Sequence, residues 1–292
     1  MNCSPVSALE KFAGALAQGA ALELYLTPKP GLVDLADSGS HPDLSLAVME
    51  RSIQLVAEYL DAIVGSLVAG EAFICQKQIG MRTEQRLLQS LGTNTHKGYV
   101  FLAGMLVIAR WHAASPEESA IRQRLSSLAG DFFRDGEEAA SNGRCVRDLY
   151  SAGGIVQEAV DAYPALFEAA LPAFRRSMQA GAGFSVASFA MLARLMQTVD
   201  DTTTLHRAGP PGLARLRRDG RRLEQLIERG GDYTGFLRQT NRAYVAMNMT
   251  MGGVADMLGL AYGYLIATGE ISEDALDSES AGQLPVMQTG RG

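Results

Sequence analysis

Seven consecutive residues, Gly92-Thr93-Asn94-Thr95-His96-Lys97-Gly98, offer two hydroxyls, an amide, an imidazole and an ammonium between two glycines. The apolar run that follows, Tyr99 to Ile108, carries no charge before Arg110 and predicts a buried helix. The polar heptad then falls at a helix N-terminus, where free N–H groups and the macrodipole favour an anion. The chemistry this suggests is phosphate binding. The plainer alternative is a helix start capped by Asn94 or Thr95, but capping alone needs neither His96 nor Lys97.

Other chemistry-bearing residues lie between predicted helices. In Thr27-Pro28-Lys29-Pro30-Gly31-Leu32-Val33-Asp34, two prolines impose an extended, stiff path that holds out Lys29 and Asp34. A proline-rich connector with a solvated lysine is the alternative. His41 and Asp43 open the next helix, as cap and surface residues or as ligands of a metal or phosphate, the cap being the plainer reading. A single acid, Glu84, sits in the short helix predicted over Arg82 to Leu91. Asp200 and Asp201 follow an apolar helix, where the C-terminal dipole disfavours negative charge unless a metal ion or Arg207 compensates. An Asp/Asp/Thr set of oxygens suits Mg²⁺. Met251-Gly252-Gly253-Val254-Ala255-Asp256 interrupts a core helix expected over Ala243 to Ala267, and Asp256 needs a partner if buried. The Gly153-Gly154 pair is expected to be a turn, and the arginines at 215, 217, 218, 221 and 222 a solvated helix face.

The elements that must position these groups are helical. Apolar residues recur at three- and four-residue steps over Ser7 to Leu26, Leu44 to Val68 and Phe184 to Val199. Ser115-Pro116-Glu117-Glu118 marks a helix start running toward Phe133, Arg134 to Gly143 is expected to be a loop, and Pro164 and Pro172 shape a helix that bends. Strand-like alternation, repeats and low-complexity tracts are absent. The expectation is an all-α single domain over residues 1–292, a multi-helix bundle with polar ligand-binding loops at helix ends and a flexible tail from about 271. Hydrophobic content of 47% and charged content of 20% fit a globular chain. Without an apolar run of about eighteen residues, no membrane span is expected. Nothing near Met1 marks export, and three scattered cysteines fit a reducing cytoplasm. A net charge of −6 disfavours broad nucleic-acid binding and points to a small partner.

Taken together, Glu23 with TPKPGLVD at 27–34, GSHPD at 39–43, GTNTHKG at 92–98, DDTTTLHRAG at 200–209 and GGVADML at 252–258 resemble triphosphoribosyl-dephospho-coenzyme A synthase. The order and spacing match over most of the chain. The resemblance implies an all-helical bundle that takes the triphosphoribosyl group of ATP, releases adenine and places the group on the 2′-hydroxyl of 3′-dephospho-coenzyme A. The product would pass to a downstream carrier-protein transferase, as the prosthetic-group precursor for citrate lyase or malonate decarboxylase. Glu84, His96 and Asp201 are then the catalytic candidates, since an oxocarbenium-like ribose needs a nearby carboxylate and the incoming hydroxyl needs a base. Lys29, Gly31, His41, Thr93, Asn94, Thr95, Lys97, Arg207, Gly252, Gly253 and Asp256 are the ATP and substrate contacts. Asp34, Asp200 and Asp201 are the Mg²⁺ ligands. An oligomer is compatible with this reading.

The chain departs from the family pattern in places. Val156-Gln157-Glu158 stands where an Arg-Gly-Glu triplet is usual, Thr250-Met251-Gly252-Gly253 where Ser-Pro-Gly-Gly is usual, and Ala208 where a second glycine is usual. The alternatives are a diverged transferase acting on another acceptor and a nucleotide-binding protein without catalysis.

Overall fold

The computed structural model describes residues 4–93, 95–134, 146, 149–150 and 152–271. Asn94, nearly all of the expected 134–143 loop and the tail after 271 lie outside the described residues. Among the described residues the structure is all α-helical with one π-helical turn and no strand. No described helix is long and apolar enough to cross a membrane.

The core is built on α1 (Pro5–Tyr25) and α11 (Gly252–Ala267), which run antiparallel. They approach to backbone contact because a side chain at Gly19 would collide with the backbone of Gly259 and Gly263, and one at Gly263 would meet Leu16 at 2.7 Å. This glycine interface leaves each helix's remaining faces to larger side chains: Leu16, Leu24, Leu258 and Leu265 are fully buried. Helix α4 (Lys97–His112) lies along both, and the Tyr99 hydroxyl donates to the Leu16 carbonyl at 2.6 Å. Gly104 leaves room on α4 for the Tyr59 ring of α2 (Leu46–Val68). Helix α3 (Phe73–Leu91) packs on α2 and spans Gly80, so it begins well before the predicted Arg82.

After α5 (Glu118–Arg134) come α6 (Gly154–Val160), a π-helical turn over Ala165–Ala170 and α7 (Leu171–Gln179). The expected bend between Pro164 and Pro172 takes the form of that π turn. Helix α8 (Phe184–Thr198) is buried, as its apolar spacing predicts, and packs on α9 (Thr202–Glu228). The latter is two helices meeting at Gly209, whose φ of 63° breaks the spiral ahead of Pro210 and Pro211. The interruption expected in the helix over Ala243 to Ala267 falls earlier than Met251–Asp256: α10 (Tyr233–Ala246) and α11 are separated by a turn in which Asn248 has a positive φ.

Two local expectations are corrected. Asp201 is not a strained acid at a helix C-terminus: α8 ends at Thr198, and Asp201 is the N-cap of α9, where the dipole favours it. His41 and Asp43 do not cap α2, which starts at Leu46 with Ser45 as its cap.

Candidate active site

The motif-bearing segments meet at one end of the bundle. The C-terminal turn of α1 brings Glu23 there, and the N-termini of α4, α9 and α11 bring residues 96–98, 201–204 and 252–256. The loop from Leu26 to Ser45 closes over them. Its inner shape depends on Asp34, which accepts from the amide of Lys29 (2.8 Å) with one oxygen and from those of Ala36 (2.7 Å) and Asp37 (3.3 Å) with the other. Its outer edge is tied to α10 and to the turn before α11: Gly31 N–H donates to Asn241 of α10 at 2.8 Å and the Ser40 hydroxyl to the Met249 carbonyl in the turn at 2.6 Å. Gly31 has a φ of 72° and lies against the Met249 carbonyl, so a side chain fits there neither conformationally nor sterically.

At the centre is a buried ion pair. The Lys29 side chain is fully enclosed, and its ammonium donates to the Glu23 carboxylate at 2.5 Å and to the Glu23 carbonyl. Burial pushes the Glu23 carboxyl up, against the pull of Lys29. Asp256 stands close by, its carboxylate against the Cα of Gly98. It accepts from the Tyr99 amide, and burial, with Glu23 and Asp201 adding, raises its pKa well above the usual range. Asp201 is also raised by burial, although its oxygens accept from the amides of Thr204 (2.7 Å) and Val254 (2.9 Å). It therefore pins the first turn of α11 to that of α9, and Gly253 permits the approach, since a Cβ there would lie 3.1 Å from the carboxylate. Gly252 faces the Thr203 hydroxyl in the same way at 3.0 Å.

Both site histidines are held neutral. His96, in the left-handed region at φ 51°, is the N-cap residue of α4 but makes no side-chain cap bond. The capped start by Thr95 is not what forms: that hydroxyl lies 2.6 Å from Ser52 Oγ, which is also 2.7 Å from His96 Nδ1. Burial, with Lys29 adding, pushes the His96 imidazole down to about 4. Burial and then Arg207 push His41 down to about 4 as well. Arg207 donates to the Ser40 carbonyl (2.7 Å), to Asn248 (3.2 Å) and to His41 Nδ1 (3.3 Å), which leaves His41 Nε2 to donate to the Thr250 hydroxyl at 2.9 Å.

The rim is more open. Lys97 pairs with Glu84 at 3.0 Å with both side chains substantially exposed, and the Thr93 hydroxyl donates to Asp43 at 2.9 Å. Asp200 points away from Asp201, to Arg217 and toward the Gly153 amide at 3.4 Å. On α6, at the atypical 156–158 triplet, Glu158 accepts from the Ala165 amide at 3.1 Å, and burial lifts its carboxyl to about 7.

The structure thus gathers Gly31, His41, Thr95, His96, Lys97, Arg207, Gly252, Gly253, Asp256 and Asp201 at one end of the bundle, with Glu84 and Thr93 at its edge. It does not bring Asp34, Asp200 and Asp201 together as a metal cage. Both carboxylate oxygens of Asp34 and of Asp201 are taken by backbone amides. Among the described residues no group of three or more His, Cys, Asp or Glu is placed to hold a metal ion. Glu23, which the resemblance includes without a role, and Ser52, which it does not include, are the partners that the sequence-derived site lacks. Each had a signal: Glu23 lies on the apolar stripe of α1 with Leu16 and Ala20, and Ser52 on that of α2 with Ile53 and Val56.

A sequence model of the ATP:dephospho-CoA triphosphoribosyl transferase family matches residues 9–272. A probable 2-(5″-triphosphoribosyl)-3′-dephosphocoenzyme-A synthase of Pseudomonas syringae pv. tomato is 32% identical, covering 93% of this chain and 97% of its own. The 2-(5″-triphosphoribosyl)-3′-dephosphocoenzyme-A synthase of Klebsiella pneumoniae is 31% identical over 88% of this chain and 91% of its own, and a probable synthase of Pseudomonas putida 34% over 81% and 87%. No solved structure matches the chain significantly. Segments more than 200 residues apart in sequence converge on one cluster of buried acids and helix N-termini, and the match runs through all of them: the chain belongs to the ATP:dephospho-CoA triphosphoribosyl transferase family.

Proposed function

We propose that the chain transfers the triphosphoribosyl group of ATP to the 2′-hydroxyl of 3′-dephospho-coenzyme A, with release of adenine. The observation that carries this reading beyond family membership is the convergence of three helix N-termini, those of α4, α9 and α11, on buried carboxylates. Free amides at such ends suit a triphosphate. The acids suit the other end of the donor, because cleavage of the C1′–N9 bond builds positive charge on the ribose.

In this reading Lys97 exchanges Glu84 for a phosphate oxygen, and Arg207 adds a second cation. Lys29 is enclosed by Glu23 and acts through it: the ammonium keeps a carboxylate charged inside the bundle, available to the ribose. Asp256, adjoining Glu23 and made more basic by burial, accepts in its ionised form the proton of the acceptor hydroxyl. Asp201 holds α9 and α11 in register. Mg²⁺ would arrive with ATP and neutralise phosphate charge, with Asp200, the exposed acid of the three, as its protein ligand. The reaction is placed in the cytoplasm, and its product would serve a downstream transferase that loads a carrier protein.

The test is direct. Purified protein given ATP, Mg²⁺ and 3′-dephospho-coenzyme A should release adenine and form the triphosphoribosyl adduct, only when the acceptor is present. Asp256→Asn should lose the reaction, and Lys97→Ala should weaken it through a higher KM for ATP. Adenine release that ignores the acceptor would refute the transfer.

A further inference from the structure

The proposed reaction leaves two buried hydroxyls unused. Ser52 on α2 is wholly enclosed and Thr95 nearly so, and they form a chain with His96: Thr95 Oγ1 to Ser52 Oγ at 2.6 Å, Ser52 Oγ to His96 Nδ1 at 2.7 Å. Each hydroxyl has a single proton to donate, and a neutral imidazole has one. Three arrangements are then possible, and where Ser52 accepts from both Thr95 and Nδ1 its own proton has no acceptor among the described residues. With the proton on Nδ1, His96 would donate to Ser52 and Ser52 to Thr95, leaving the Thr95 hydroxyl as a buried donor with no acceptor among the described residues. Folded proteins rarely leave such a group unmet. In the opposite direction both hydroxyl protons find acceptors: Thr95 donates to Ser52, Ser52 donates to Nδ1, and the imidazole proton stays on Nε2 of a residue that is only partly buried.

We propose that the Thr95–Ser52 relay fixes His96 as the Nε2–H tautomer, making it a hydrogen-bond donor to a phosphate oxygen of the substrate rather than the base that deprotonates the acceptor. Ser52 and Thr95 are its positioning residues. The location agrees with the role. No described residue accepts from Nε2, and the ring belongs to the residue that opens α4, beside the free amides of the first turn. Burial and the neighbouring Lys29 keep the ring neutral, so it enters the reaction with one donor and one occupied acceptor. The identity of the accepting oxygen rests on the proposed function, whereas the tautomer is a property of the free protein and can be measured without turnover.

The experiment labels the histidines with ¹⁵N and records long-range ¹H–¹⁵N spectra of the free protein at neutral pH, assigning His96 by its absence in His96→Gln. The expected result is a protonated Nε2 and an unprotonated Nδ1, with Thr95→Ser unchanged and Thr95→Val, which has the shape but not the donor, showing both tautomers. A protonated Nδ1 in the parent, or an unchanged tautomer in Thr95→Val, would overturn the relay. In turnover, Thr95→Val and Ser52→Ala should lower kcat about 10-fold or more, as loss of a histidine's orienting partner does elsewhere, and Thr95→Ser should restore it. His96→Gln keeps a donor near the Nε2 position and should exceed His96→Ala in kcat; equal loss in the two would return His96 to the role of base.

Discussion

The candidate site contains two lysine–glutamate pairs that differ in almost everything except chemistry. Lys29 and Glu23 meet at 2.5 Å with side chains 0% and 6% exposed; Lys97 and Glu84 meet at 3.0 Å with side chains 44% and 30% exposed. Desolvation makes the inner pair obligatory, because among the described residues neither charge has another ion-pair partner if the first is removed. The outer pair is solvated, so either partner can be exchanged at little cost. The inner lysine is thus committed to holding a carboxylate inside the bundle, and the outer one is free to take an incoming anion. A loop lysine cannot be assigned to one or the other role from its residue type.

The largest effect should come from breaking the inner pair. Lys29→Met leaves Glu23 buried near Asp256 and Asp34, which should cost about 3–5 kcal/mol, read as a lower urea midpoint with unchanged slope. Adding Glu23→Gln to Lys29→Met should recover much of the loss. A single-variant loss below about 1 kcal/mol would mean that the inner pair behaves like the outer one, and the contrast would fail.

Glu158 sharpens the same contrast, being a largely buried acid whose neighbours are Asp161, Asp200 and Glu168 rather than a cation. Its folded pKa of about 7 lies above the ordinary 4.5, so the folded state binds the proton more tightly. Its contribution to stability is therefore whole below pH 4.5, falls as pH rises, and is lost by pH 7. Glu158→Gln keeps an acceptor for the Ala165 amide and removes this titration. Relative to the parent, the variant should gain at most about 3 kcal/mol between those two pH values, measured by denaturation across the range. A flat difference would show that Glu158 is solvated.

Asp201 tests a buried acid that is satisfied by amides alone. Asp201→Asn leaves one carbonyl oxygen for two N–H donors and turns an NH₂ toward the other, so it should cost about 2 kcal/mol. Activity should fall with it, because α9 and α11 would lose their common anchor. Full stability in this variant would mean that one of the two amide bonds contributes nothing.

The architecture was largely legible. The three- and four-residue spacing of apolar residues in α1, α2 and α8 is a direct consequence of each helix burying one stripe, and it locates all three. The helix expected from Arg82 begins at Phe73 and contains Gly80, whose low helix propensity is outweighed by packing on α2. The site was legible by segment, not by role. Polar residues between helices do converge, but whether a lysine is enclosed or solvated depends on Glu23, six residues away and on another element. Asp200 and Asp201 are adjacent in sequence and face different partners, Arg217 and the amides of Thr204 and Val254, because a helix starts between them. A pair of acids read as a joint metal site was therefore split by a backbone turn that local sequence does not encode.

The smallest change in stability should come from the outer pair. Glu84→Gln and Lys97→Ala should each shift unfolding by less than about 1 kcal/mol, and by less still in high salt. Their effects on catalysis should nevertheless diverge. Glu84→Gln releases the Lys97 ammonium and should leave KM for ATP unchanged or lower, whereas Lys97→Ala removes the cation and should raise it. Equal increases in KM would mean that the pair acts as a structural unit. Opposite responses at unchanged stability would place Lys97 as a ligand that parts from its carboxylate to bind phosphate, an exchange closed to Lys29 by its burial.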